Sequence, residues 1–250
     1  MYGNGFGDDP FPFLNLGYFD SSSQPANPGD PFISERLSER LYDRVVAGAD
    51  QTANEVLEVG CGRGGGCARI ARGRPDARVV GLDRSSSLIS RCNRAYGDIG
   101  NVSFEHGDAL DLPYPDESFD LVVNVESSHC YGSRAAFFGE VTRVLAPGGH
   151  FAYADVVLPA EPDQTAQAIE DQLARAGLTI LDAEDIVAGV RKARSAVSRS
   201  PAFRERIASI TLGKQGAETL QEILFIEGST CYARLHDGSL GYWRWLGRKP

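Results

Sequence analysis

The chain has 250 residues and carries 25 basic against 34 acidic groups, a formal charge of −9. With 42% hydrophobic and 24% charged residues it reads as a globular chain of one α/β domain, large enough for a core without disulfides or metals. The acid excess argues against a nucleic-acid or anionic-membrane face, and no apolar run reaches the ~18 residues of a membrane span. Five cysteines without a C-x-x-C pair indicate free thiols in a reducing compartment. The opening MYGNGFGDDPFPFL lacks the basic region and apolar core of a secretion signal, so the expected location is cytoplasmic.

Residues 1–32 are rich in Gly, Pro, Asp and Asn and read as irregular chain. Their aromatics (Phe6, Phe11, Phe13, Tyr18, Phe19) either plug the core or form a flap over a ligand. Ser34 is expected to cap a helix running to residue 46, with Leu37, Leu41 and Val45 on one face. Strands are predicted over 55–60, 78–82, 101–105, 119–125 and 150–156, with helices over 65–73, 85–96 and 135–145 between them. This alternation implies right-handed βαβ units and a parallel sheet. A helix over 164–176 and a sixth strand over 178–187 follow. Residues 189–236 read as helical with breaks, and the aromatic alternation SLGYWRWL (239–246) as a late strand.

The run VLEVGCGRGGG places Gly60, Gly62 and Gly65 in a G-x-G-x-x-G spacing at a strand-to-helix junction, where missing Cβ atoms let the backbone approach a ligand. Asp83 ends the second strand, where a carboxylate accepts from ribose hydroxyls. These features alone fit either a dinucleotide or S-adenosylmethionine. Three others favour the second. Glu58 lies two positions before the first glycine and is expected to project into the cleft toward a cationic ligand. Asp108, in Gly107-Asp108-Ala109 after the third strand, is placed to accept from an adenine amine. Leu145-Ala146-Pro147-Gly148-Gly149 turns tightly before the fifth strand.

Taken in order, VLEVGCGRGGG, GLD (81–83), GDALDLPYPDESFDLV and VTRVLAPGGHF resemble a class I S-adenosylmethionine-dependent methyltransferase over residues 55–156. NLGYF (15–19), VNVESSHCY and the terminal GYWRWLGRKP are similar to the phthiotriol/phenolphthiotriol dimycocerosate methyltransferases and the rebeccamycin-type sugar O-methyltransferases. The resemblance implies a Rossmann-like seven-stranded sheet whose last strand is antiparallel. It also implies an N-terminal flap and helix (1–50), a cofactor-binding core (55–156) and a helical insertion (about 189–236) acting as a substrate lid between the sixth and seventh strands. It puts Gly60, Cys61 and Gly62 against the methionine portion of the cofactor, Asp83 at the ribose and Arg84 beside the adenine. Asp108 and Ala109 fall at the adenine edge, Asn124 by the methionine backbone, and Tyr18 over the cofactor.

Transfer to an alcohol requires removal of a proton. His129 follows the fourth strand, at the end of the sheet where open α/β folds bind ligands, and Asp155 ends the fifth strand beside it. A carboxylate there orients the imidazole and stabilises its charged form. The resemblance assigns the same two positions to a catalytic pair, except that the relatives' second, adjacent histidine is Cys130 here. His106, His150 and His236 read as structural or exposed, and no metal-ligand spacing is present. The basic run 191–214 reads as a solvated helix face, or alternatively as a site for an anionic acceptor group. The expected acceptor is a small, hydrophobic or polycyclic molecule, with a hydroxyl as the methylated group. Nitrogen or carbon transfer, and a cofactor-holding cyclase-like scaffold, stay open. A homo-oligomer is compatible with the sequence but not indicated by it.

Overall fold

The computed structural model describes residues 11–20, 27, 29–209 and 214–250. The flap residues 1–10, with Phe6, and 21–26 lie outside the described residues, as does the side chain of Lys214 in the basic run. The elements run α1 (Ile33–Val45), β1 (Glu55–Val59), α2 (Gly65–Gly73), β2 (Arg78–Asp83), α3 (Ser86–Tyr96), β3 (Val102–His106) and β4 (Phe119–Val125). They continue with α4 (Arg134–Val144), β5 (Leu145–Val157), α5 (Ala166–Arg175) and β6 (Thr179–Asp185). Last come α6 (Val187–Arg199), α7 (Pro201–Ala208), α8 (Lys214–Ile223), α9 (Thr230–Asp237) and β7 (Gly241–Arg248).

The strands form one sheet in the order β3-β2-β1-β4-β5-β7-β6. β3 to β5 pair in parallel, and β7 runs antiparallel between β5 and β6. The inner strands are apolar on both faces because both are covered. Val56, Val79, Leu121 and Val123 share one core with residues of α1, α2 and α3. Leu57, Val59, Val80 and Val122 share the other with α4 and α5. The chain order reverses between β1 and β4, which opens the ligand crevice of a doubly wound sheet at the carboxyl ends of these strands.

Several boundaries shift from the sequence reading, among them α5 (expected 164–176), β6 (expected 178–187) and β7 (expected 239–246), and two shifts have a local reason. Ser34 does not cap α1. The chain turns at Asp30, whose carboxylate accepts the Phe32 N–H and whose carbonyl accepts that of Ile33, so the cap position falls at Phe32, two residues earlier. β5 begins at Leu145 rather than His150, because Leu145 already pairs with Phe119 before the chain bulges through Gly148 at φ +81°.

The extra glycines of the loop have a packing cause. A Cβ on Gly65 would stand 2.5 Å from the Pro12 carbonyl oxygen, and one on Gly66 would stand 2.2 Å from the Tyr42 ring. The start of α2 is therefore pressed against the N-terminal segment and α1. Gly66→Ala is expected to cost about 1–3 kcal/mol through overpacking. Gly73→Ala, at the open end of the same helix, is expected to change stability by less than that, toward about 0.4–1 kcal/mol of stabilisation. Urea denaturation of the two variants checks the opposite signs.

Candidate active site

The turn after β1 is tied to the next strand. Gly60 and Cys61 N–H groups both donate to the Leu82 carbonyl, and the Gly62 N–H donates to Asp83 Oδ2 at 2.9 Å. Asp83 Oδ1 accepts the Ser85 N–H at 2.8 Å, so this carboxylate pins the loop to the start of α3. Burial pushes its carboxyl above the usual range, against those two donors. A Cβ on Gly62 would meet nothing within 4 Å, whereas one on Gly60 would collide with Ser127 and Tyr131. The open face of the loop thus lies over Gly62, and the Ser127–Tyr131 turn closes over Gly60.

Two expected site residues point elsewhere. Glu58 does not project into the cleft. It is 1% exposed, and its carboxylate accepts from the Tyr42 hydroxyl and the Cys67 thiol beneath the loop. Burial pushes it up to about 7, so two neutral donors rather than a cationic ligand satisfy this acid. Cys61 is 5% exposed and turns its thiol into the core with Cys67 and Cys92, leaving only its backbone on the loop surface.

Of the other residues expected at the cofactor, Asp108, Ala109, Arg84 and Asn124 lie around the same loop. Gly107 N–H donates to the Asp83 carbonyl, which sets Asp108 beside the end of β2. Asp108 itself accepts the Leu110 N–H, and Ala109 is buried. Arg143 on α4 holds this loop through the Leu112 and Tyr114 carbonyls. Arg84 is exposed next to Asp83. Asn124 is fully buried, and its amide nitrogen donates to the Val59 carbonyl (2.9 Å), Ser127 Oγ (2.7 Å) and Tyr131 Oη (3.1 Å). Its Oδ1 accepts nothing among the described residues. Tyr18 belongs to the N-terminal segment and packs its ring where a Cβ of Gly189 on α6 would be.

His129 and Asp155 are brought together. The ring Nδ1 lies 2.7 Å from Asp155 Oδ1, and the His129 N–H donates to Oδ2 at 3.0 Å. Ser128 Oγ donates to Oδ2 at 2.5 Å and the Val156 N–H to Oδ1 at 2.8 Å, so a carboxylate with no exposed surface is fully hydrogen-bonded. The imidazole keeps 31% of its side-chain surface open. Burial would lower its pKa, but the charge and hydrogen bond of Asp155 outweigh this and raise it above the ordinary imidazole range. Burial likewise opposes ionisation of Asp155, and His129 and Ser128 hold its carboxyl below the usual range.

Glu126 and Tyr131 are site residues the sequence reading missed, although both lie in the VNVESSHCY segment it singled out. Glu126 adopts φ +52°, uncommon outside glycine. Its Oε1 accepts the Leu16 N–H at 2.7 Å and the Tyr242 hydroxyl at 2.6 Å, linking the N-terminal segment to β7. Burial pushes it up to about 7. The Tyr131 hydroxyl, raised by burial, lies in the fields of both Asp83 and Asp155, between the loop and the His129–Asp155 pair.

A family model described as a methyltransferase domain matches residues 50–197. A fatty-acid O-methyltransferase of Mycolicibacterium smegmatis is 41% identical over 189 residues, covering 74% of this chain and 67% of that protein. A phthiotriol/phenolphthiotriol dimycocerosates methyltransferase of Mycobacterium tuberculosis is 35% identical over 243 residues, covering 93% and 86%. Among solved structures, the cyclase SpnF superposes with a TM-score of 0.75 at 24% identity, over 95% of this chain and 87% of that one, a likeness of fold.

The His129–Asp155 pair makes stability depend on pH in a defined direction. The share from His129 is present in full below its unfolded pKa of ~6.5 and is lost as pH rises through its raised folded value. The share from Asp155 is lost as pH falls through its depressed one. Urea denaturation of wild type and Asp155→Asn across pH is expected to show the widest gap between about pH 4 and 6.5, narrowing on the alkaline side. A gap that widens with alkalinity contradicts the pairing.

Proposed function

From the premise that the chain belongs to the methyltransferase-domain family, a family of S-adenosylmethionine-dependent enzymes acting here on small molecules, we propose that it methylates an oxygen of a hydrophobic acceptor, with His129 as general base and Asp155 as its partner. The observation that carries this reading is the 2.7 Å contact between a partly open imidazole and a wholly buried carboxylate at the carboxyl end of the sheet. One relative is named for fatty acids and the other for phthiotriol/phenolphthiotriol dimycocerosates, which supports an apolar acceptor. Among the described residues, no helix is long and apolar enough to cross a membrane.

The residues at the loop fit the cofactor. Among the described residues, space is open over Gly62, the Asp83 carboxylate stands beside it, and the buried Asn124 Oδ1 has no donor. Asp83 with Arg84 would hold the ribose and adenine side, and Asp108 with Ala109 the adenine edge. The backbone of Gly60, Cys61 and Gly62 with Asn124 would hold the methionine side, and Tyr18 would cover it. When bound, S-adenosylmethionine supplies an electrophilic methyl group on a sulfonium. The chain's own work is alignment, which contributes up to ~7–11 kcal/mol, and proton removal, which contributes ~10²–10⁴-fold. His129 Nε2 takes the acceptor proton while Nδ1–H stays on Asp155, whose fixed charge stabilises the imidazolium that forms.

Because Asp155 raises His129 above the ordinary range, turnover of a hydroxyl acceptor is expected to climb with pH from neutral into the alkaline region, and Asp155→Asn should shift that rise to lower pH. His129→Ala should lower turnover by ~10²-fold or more with cofactor affinity nearly intact. The double variant should be little worse than the worse single, since the pair acts as a unit. Near-normal turnover of His129→Ala would redirect the assignment to nitrogen or carbon transfer.

The ribose assignment has its own check. Asp83→Ala is expected to weaken binding of S-adenosylhomocysteine by about 1.5–3 kcal/mol, the size of a charge-assisted hydrogen bond. Calorimetry giving an unchanged affinity would place the carboxylate outside the cofactor site.

A further inference from the structure

The basic run at 191–214 is not a solvated helix face throughout. Arg194, on the inner side of α6, has no exposed surface at all. Its guanidinium makes one hydrogen bond, from Nη1 to the Leu224 carbonyl at 2.9 Å. Nε and Nη2 meet no acceptor among the described residues. Arginine stays protonated in proteins, so this is a buried charge. A buried charge without a counterion is strongly unfavourable, and protein interiors supply such a partner or expect it from outside.

The acid whose field reaches Arg194 is Glu126, and Glu126 is already committed. Its Oε1 accepts from Leu16 and Tyr242, and burial holds its carboxyl at about 7, which leaves it only partly ionised at neutral pH. No carboxylate among the described residues lies within ion-pair distance of Arg194. The unused donors are also the adjacent pair on one edge of the guanidinium. Nε–H and one Nη2–H point in parallel, the arrangement that takes both oxygens of a carboxylate. Leu224, whose carbonyl Arg194 bonds, belongs to an apolar cluster with Ala193 and Val197 of α6, Phe203 of α7 and Leu220 of α8. Glu126 feels both Arg194 and His129, and it directly precedes the Ser127–His129 turn, so this positive edge belongs to the same end of the sheet as the His129–Asp155 pair.

We propose that Arg194 is an acceptor-recognition residue and that the acceptor is an amphipathic acid, its carboxylate taken by the Nε/Nη2 edge of Arg194 and its apolar body by the residues of α6, α7 and α8. This rests on the reading that the insertion between β6 and β7 covers the acceptor. It adds the chemical class of that acceptor and a specificity residue for it.

The test is calorimetry on the full chain loaded with S-adenosylhomocysteine, using octanoate, dodecanoate and hexadecanoate against their primary amides. Wild type is expected to bind the acid at least ~30-fold tighter than the amide for one or more of these lengths, about 2 kcal/mol. Arg194→Met should bring that ratio below ~3-fold while S-adenosylhomocysteine affinity is retained, and Arg194→Lys should keep part of it. Arg194→Met should also melt at or above the wild-type temperature, since a thioether of similar reach replaces an uncompensated buried charge. A merely structural arginine would lower the melting temperature on removal. Equal affinity for acids and amides in wild type, no binding of either, or a preference that survives Arg194→Met overturns the proposal. The readout is binding, so it does not depend on His129 acting as a base. Failure of the methyltransferase reading would show instead as wild type that does not bind S-adenosylhomocysteine.

Discussion

Asp155 has no contact with solvent, and the arrangement of the whole catalytic end follows from satisfying it. A carboxylate without water needs donors from the protein, and it takes them from the Val156 N–H on its own strand and from Ser128 and His129 on the turn after β4. Those bonds fix the single helical turn Ser128–Cys130 against the end of β5. The same turn carries Ser127 and Tyr131 over Gly60. The position of His129 and the shape of the loop floor are thus set by one buried charge. β7 pairs antiparallel with β5 alongside, with Trp243 in register with Asp155.

Burial of acids recurs around this centre with different outcomes. Glu58 and Glu126 are both pushed up to about 7, and each rests on neutral donors, whereas Asp155 faces an imidazole and is held ionised. The difference is the partner. A hydroxyl and a thiol beside Glu58 lower the cost of a carboxylate less than a protonatable ring does. Glu58 accordingly acts as a support under the glycine loop, joining β1 to Tyr42 of α1 and Cys67 of α2. Asp155 instead holds a charge against the imidazole of His129.

The fold was largely legible because its signals are local. Continuous apolar runs such as 56–59 and 121–125, bounded by glycines and polar turns, predict inner strands wherever they occur. The antiparallel last strand was available only through resemblance, since alternation in GYWRWL does not reveal direction. The juxtaposition of His129 and Asp155 was readable because one follows β4 and the other lies near the end of the neighbouring β5, and the turn after β4 then brings their side chains together. The aim of Glu58 was not readable. Parity along a strand names two faces but not which neighbour fills them, and Tyr42 lies sixteen residues upstream on another element. Glu126 and Arg194 were missed for the same reason. Each looks like an ordinary charged residue until long-range packing removes its water.

That loss of water ties the covering segments to the chemistry. The N-terminal segment is held from below by the Leu16 N–H on Glu126 and from above by Tyr18 against Gly189 of α6 and Phe11 against Phe203 of α7. Segment and insertion therefore close as one layer over the strand ends. Within such a layer, electrostatic interactions are screened far less than at a surface, so the His129–Asp155 contact is stronger than an exposed pair of the same length. The same exclusion makes Arg194 costly while it lacks an anion. A residue whose charge is unfavourable in the free enzyme and neutral in a complex favours the ligand that carries the matching charge, and discriminates against an uncharged analogue of the same shape.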